Sequence, residues 1–353
     1  MAREALQVGG NKALRWVIGA GLGLPLLLIV LFVIFMSAIA VFLGGGATGT
    51  DSTVPPIGTA EARPALWLGK PAITGLSLPN VLVMAVMAHE SGGQVLAVNF
   101  NCTDGLSASE QCGQAYPGTQ TLSEDAGLMQ INSGGWPAPE KAAKWQSLGI
   151  AQDPFDPGKN IAAGVGQLKA ELRQYKYLKF ALEAYNSGSG GQASFDAAYP
   201  ESVRSYLTAY EAGPTIAVWS TADYRNDQWE ARRSQQVWLV VAAAGPYGAR
   251  FSVPWKPGKT VCKTATDPKT SKPVTTCVRQ HDPLTGRDLT LPASVTANGR
   301  PMALSPQDAP LWPGEQAFAI RVRGSATYRV TARWPGGHSA TASITIEPEK
   351  GGG

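Results

Sequence analysis

Residues 85–94 read AVMAHESGGQ, and the stretch before them, SLPNVLVMAVMA (77–88), is almost wholly apolar. In a helix over Leu78–His89, apolar side chains from Val81 to Met87 surround the axis, so the helix belongs in the core of a domain. Glu90 then falls on its last turn, with Val86 and Met87 one turn back and the negative end of the helix dipole beside it. Both surroundings favour the neutral carboxylic acid and raise its expected pKa. A carboxyl kept protonated near neutral pH is what general-acid cleavage of a glycosidic bond requires. Ser91-Gly92-Gly93 stops the helix and leaves the backbone open to close approach by a ligand. The plainer reading is a polar helix end with Glu90 in water. A metal site fails on spacing, because HExxH needs a histidine where Gly93 stands, and no GxSxG nucleophile elbow occurs.

Toward the N-terminus, Trp16–Leu43 contains no charged residue. At ~1.5 Å per residue this run more than spans a ~30 Å hydrocarbon core. Arg3, Lys12 and Arg15 precede it against Glu4 alone, which places residues 1–15 in the cytoplasm and makes 16–43 a transmembrane helix. A cleaved signal peptide ending near Ala38-Ile39-Ala40 is the rival, although the run is longer than the usual ~7–15-residue signal core. The remainder is then extracytoplasmic. Cys102 with Cys112, and Cys262 with Cys277, lie close in sequence within turn-rich segments, and two local disulfides are the simplest pairing in an oxidising compartment. Neither pair has CxxC spacing and the chain has three histidines, so no metal or other cofactor is expected. A net charge of +4 is too mild for a nucleic-acid partner.

Residues 44–76, rich in Gly, Thr, Pro and Ala, read as a linker. Over 77–212 the pattern is helical: Ser77 is placed to cap the first helix, and further helices fit 139–148, 158–176, 179–185 and 200–211. From 213 to 350 the texture changes to short alternating runs such as AIRVRG and YRVTARW, separated by turn residues. These predict an all-β sandwich compatible with an immunoglobulin-like arrangement, with Cys262–Cys277 on a long hairpin or loop. Six basic residues surround that pair (Lys256, Lys259, Lys263, Lys269, Lys272 and Arg279) against Asp267. They suit either an anionic cell-wall polymer or a merely solvated loop. Trp219, Trp229 and Trp255 read as sugar-stacking aromatics or as sandwich core.

Three more segments carry chemistry. GLMQIN (127–132) places the amides of Gln130 and Asn132 after a glycine turn, suited to sugar hydroxyl and acetamido groups. DPFDPGKNIAAGVGQL (153–168) follows, then ALEAYNSGSGG (181–191), where Tyr185 and Asn186 close a helix. The order HESGG, GLMQIN, DP…N…G, AYNSG resembles the SLT-type lytic transglycosylase domain of the lysozyme-like superfamily, over residues 77–212. That resemblance implies a mainly α-helical lysozyme-like domain acting on the β-1,4 bond between N-acetylmuramic acid and N-acetylglucosamine of peptidoglycan. It makes Glu90 the sole catalytic acid and base and Ser91 its support. Gln130 would contact substrate, Tyr185 and Asn186 would line the cleft, and Tyr206, in ESVRSY, matches a late aromatic of the family.

The expected fold class is therefore multidomain: an N-terminal transmembrane helix, a mainly α-helical lysozyme-like domain and a C-terminal all-β sandwich. The expected reaction is lytic transglycosylation to a 1,6-anhydro product for local opening of the cell wall. A hydrolytic muramidase using a second carboxylate (Asp104, Glu124 or Asp125) is the alternative, as is a scaffold that binds glycan without cutting it. The chain departs from the family in the long stretch between HESGG and GLMQIN, which reads as an insertion pinned by Cys102–Cys112. The QIN form is similar to transglycosylases of conjugation and type IV secretion systems. The resulting picture is a single-pass cell-membrane protein whose partners are peptidoglycan, the membrane and a trans-envelope apparatus.

Overall fold

A computed structural model describes residues 63–68, 73, 75–136, 142–187, 198–225, 227–302 and 316–349. Helix α1 (Asn80–Ser91) buries Val81 through Ala88 without interruption, which is why its sequence is apolar on every side. It starts after Pro79, whose extended backbone (ψ 130°) ends the preceding loop. Ser77, the expected cap, instead has φ 59° and lies outside the helix. Gly92, with φ 59°, closes α1 in the left-handed conformation, and its N–H and that of Gly93 return to Ala88 O and Met87 O, as glycine-terminated helices do.

The chain then forms β1 (Val98–Cys102), β2 (Ser107–Ala108), the short α2 (Cys112–Ala115), β3 (Thr121–Ala126) and β4 (Ile131–Asn132). The four strands make one antiparallel sheet in the order β2-β1-β3-β4, and a Cys102–Cys112 disulfide ties the end of β1 to α2. Helices α3 (Ala143–Leu148), α4 (Pro157–Tyr175), α5 (Leu178–Ser187) and α6 (Ala198–Glu211) complete this part. Asp156 accepts from Lys159 N–H at 2.7 Å and Pro157 opens α4, a capped start legible in DPGK.

The C-terminal part contains β5 (Thr215–Ser220), β6 (Asp223–Arg225), β7 (Gln228–Ala231), β8 (Gln236–Ala244), β9 (Arg250–Thr266), β10 (Pro273–Arg287), β11 (Ser294–Ala297), β12 (Arg300–Pro301), β13 (Gln316–Arg321), β14 (Ala326–Arg333) and β15 (Ser339–Pro348). One sheet runs β12-β11-β14-β15-β7-β6, in which β15 and β7 are parallel; a second runs β13-β8-β5; β9 and β10 form a separate two-stranded ribbon. Val241 and Ala243 of β8 pack with Val330 and Ala332 of β14 between the sheets. Val240 and Ala242, on the other face of β8, join a core that also holds Leu82, Leu168 and Leu182 of the helical part. Burial on both faces explains why VWLVVAAA is a continuous apolar run. The described residues all belong to one unit, Ser52–Gly353.

These observations correct the expected fold class. Among the described residues no helix is long and apolar enough to cross a membrane. The transmembrane helix expected at 16–43 lies outside the described residues and is withdrawn from the architecture. The helical part is not simply helical, because a four-stranded sheet fills the stretch read as an inserted loop. The described chain has six α-helices against fifteen strands. Its C-terminal sheets fit a β domain, and the segment around Cys262–Cys277 is a hairpin. Within the expected linker, Arg63–Trp67 is a 3-10 turn that buries Pro64, Ala65, Leu66 and Trp67.

Candidate active site

Glu90 ends α1 where three elements meet its carboxyl or its surroundings. From the first turn of α6, the Tyr199 hydroxyl donates a hydrogen bond to Glu90 Oε1. From α5, Tyr185 lies with its ring centroid 6.4 Å from that of Tyr199 and donates its hydroxyl to Met129 O at 2.8 Å. From β3, Asp125 contributes negative charge. Glu90 is half-buried as a residue, but its carboxyl lies deep enough that burial dominates and carries its pKa from 4.5 to about 8. The Tyr199 bond opposes that rise and the charge of Asp125 adds to it. Burial and the neighbouring Glu90 also hold both tyrosines well above the ordinary phenol value, so they remain donors. His89, next in sequence, turns away: its Nδ1 lies 2.7 Å from Ser202 Oγ and its ring meets Tyr199 edge-on.

Below the carboxyl, the HESGG and GLMQ turns are clamped together. Ser91, 8% exposed, directs its hydroxyl to Leu128 O at 2.8 Å and Met87 O at 3.2 Å, and accepts from Gly93 N–H. A Cβ on Gly93 would lie 2.8 Å from Pro64 N, so the absent side chain lets the 3-10 turn close over this loop. Asn160 of α4 is fully buried; its Oδ1 accepts from Met129 N–H and its Nδ2 donates to Ala126 O and Pro154 O. Gly164, one turn on, admits the Met129 side chain. The spacing N…G in NIAAG thus holds the GLMQ backbone against the helix.

The expected substrate amides are used differently. Gln130 commits both N–H bonds of its Nε2 to Ala97 O and Gly127 O. Asn132 donates to Asp125 Oδ1 at 2.8 Å and to Ser123 Oγ at 2.9 Å, and accepts from Gly134 N–H. Asn101 and Asn99 of β1 donate to Asp125 Oδ2 at 2.8 and 3.3 Å, so three asparagine amides converge on one carboxylate. Asn186 is exposed at the end of α5, beside residues 188–197 that lie outside the description. Tyr206 packs half-buried against the core. The structure therefore brings Glu90, Ser91 and Tyr185 together and joins Asn132 to Asp125. The aromatic that α6 delivers to Glu90 is Tyr199, not Tyr206. Tyr199 had one available signal, as a tyrosine just before the proline of a helix start. Trp219, Trp229 and Trp255 are all buried, which leaves no stacking face.

Residues 72–197 match the family model of the transglycosylase SLT domain. This segment is an SLT transglycosylase domain of the lysozyme-like superfamily, a domain that acts on peptidoglycan glycan strands. No curated protein and no solved structure matches the chain.

Proposed function

We propose that the chain is a peptidoglycan lytic transglycosylase with Glu90 as its acid and base. The observation that carries the reading is the buried carboxyl with a pKa near 8, bonded to Tyr199. Protonated Glu90 gives its proton to the glycosidic oxygen between N-acetylmuramic acid and N-acetylglucosamine as the C1–O bond breaks and an oxocarbenium-like centre forms. The substrate's own N-acetyl group can support that centre. The Glu90 carboxylate then takes the proton of the muramic C6 hydroxyl as that oxygen bonds to C1, closing the 1,6-anhydro ring and restoring the acid. Two disulfides favour an extracytoplasmic site of action, where local wall opening would serve a trans-envelope apparatus.

One observation favours a second reading. Asp125, caged by Asn99, Asn101 and Asn132, is a second carboxylate within electrostatic reach of Glu90, as a hydrolytic muramidase would use. Mass analysis of digested peptidoglycan separates the two. Anhydro-muramic ends are expected; reducing muramic ends alone would establish the hydrolase. Asp125→Asn sharpens the comparison. A transglycosylase would keep its product and show only an alkaline limb moved to lower pH, because a charge that raises the Glu90 pKa is gone. A hydrolase would lose turnover.

A further inference from the structure

The β9–β10 ribbon reaches beyond the body of the protein. Its base is packed: Trp255 is buried, and Phe251, Val253 and Leu284 rest on the core. From Lys259 outward every residue is exposed except the partly covered Asp267, as far as Asp282 on the returning strand. Cys262 and Cys277 are direct cross-strand partners and are joined by a disulfide, which staples the exposed half into one conformation.

Strand alternation sorts this exposed half into two unlike faces. The pairs Val261–Val278, Lys263–Thr276 and Ala265–Val274 lie on one face, and Thr260–Arg279, the disulfide and Thr264–Thr275 on the other. On the first face Val261, Val274 and Val278 are 36%, 48% and 61% exposed. Lys263 stands among them, and Lys269 and Lys272 occupy the tip. Asp267 is the only acidic residue between Lys259 and Arg279. It is taken up in shaping the turn, accepting from Lys269 N–H and the Thr270 hydroxyl.

Lysines alone would suit any soluble polyanion, but that partner would leave the three valines in water. A membrane interface takes both, apolar side chains at the headgroup boundary and lysines on anionic headgroups. We propose that the outer half of the β9–β10 ribbon is a membrane-contact arm that lays its Val261–Val274–Val278 face on an anionic phospholipid surface. This assignment is independent of the reaction assigned to Glu90.

Hydrogen exchange of the full chain tests it. The amides of residues 259–279 are followed in buffer, with pure phosphatidylcholine vesicles, with phosphatidylglycerol-containing vesicles, and with soluble polyglycerol phosphate. Slower exchange is expected only with phosphatidylglycerol. The protection should fall by about tenfold or more in Lys263→Glu/Lys269→Glu, as loss of two near-surface cations implies, and should also fall in Val261→Ser/Val278→Ser. A main thermal transition unchanged from the parent in both variants verifies their fold. Exchange unaltered by phosphatidylglycerol, or slowed equally by phosphatidylcholine, overturns the proposal. Slowing by polyglycerol phosphate would assign the arm to a wall polymer instead, and slowing with protein concentration alone would assign it to a second copy of the chain.

Discussion

At Glu90 a single proton links activity to stability. With a folded pKa of about 8 against 4.5 for a free side chain, the folded protein holds this proton where the unfolded chain has released it. The favourable contribution is complete below about pH 4.5 and is lost as pH rises through about 8, by an amount on the order of a few kcal/mol. Glu90→Gln should therefore abolish gel clearing, a loss of at least about a hundredfold for a general acid, while melting at a higher temperature than the parent at pH 9. Equal melting temperatures there would refute the buried, protonated state. Tyr199→Phe acts in the opposite direction to Asp125→Asn. Its hydroxyl lowers the Glu90 pKa, so removing it should move the alkaline limb of the pH–rate profile upward and slow turnover about tenfold. Glu90 was legible because an apolar helix and a Ser-Gly-Gly stop surround it. Tyr199 was not, because it is 109 residues away and its one local mark, a place just before the proline of a helix start, does not say which residue it meets.

Among the elements, α4 carries a motif whose purpose is structural. Asn160 satisfies three backbone groups of the β3–β4 turn and the preceding loop. Asn160→Ala strands them in the core and should cost about 2–4 kcal/mol, read as a drop in the denaturation midpoint; a change under about 1 kcal/mol would show that water replaces the amide. The helices α4, α5 and α6 fall within two residues of the limits that their periodicity suggests, since each has a clear apolar stripe and a Pro, Asp or polar boundary. The sheet β1–β4 escaped because its strands are short and rich in Asn, Ser and Thr, residues that also make loops. Its polarity has a use that period-two patterning does not reveal: the asparagines face Asp125.

For the whole molecule, the two disulfides should behave differently. Cys102 and Cys112 are buried in the body, and replacing both by serine should cost about 2–3 kcal/mol in the chain-entropy picture. Replacing Cys262 and Cys277 frees only the exposed half of the ribbon and should leave the main thermal transition where it was. A large shift there would mean that the ribbon folds as part of the core. The change from helical to strand texture near residue 213 was visible in the sequence, but the join between the two parts was not. Asn80, the first residue of α1, donates to Leu289 O at 3.0 Å and accepts from Leu289 N–H at 2.8 Å. The Asp288 carboxyl is raised by burial and partly relieved by the backbone N–H groups of Val81 and Asn80.

That pairing across 209 positions also sets an order of events. A ribosome releases Asn80 long before Leu289, so a growing chain carries Glu90 without the segment after β10 on which the start of its helix is seated. The start of the helix that carries the acid is thus made early but seated late, once residue 289 has joined it.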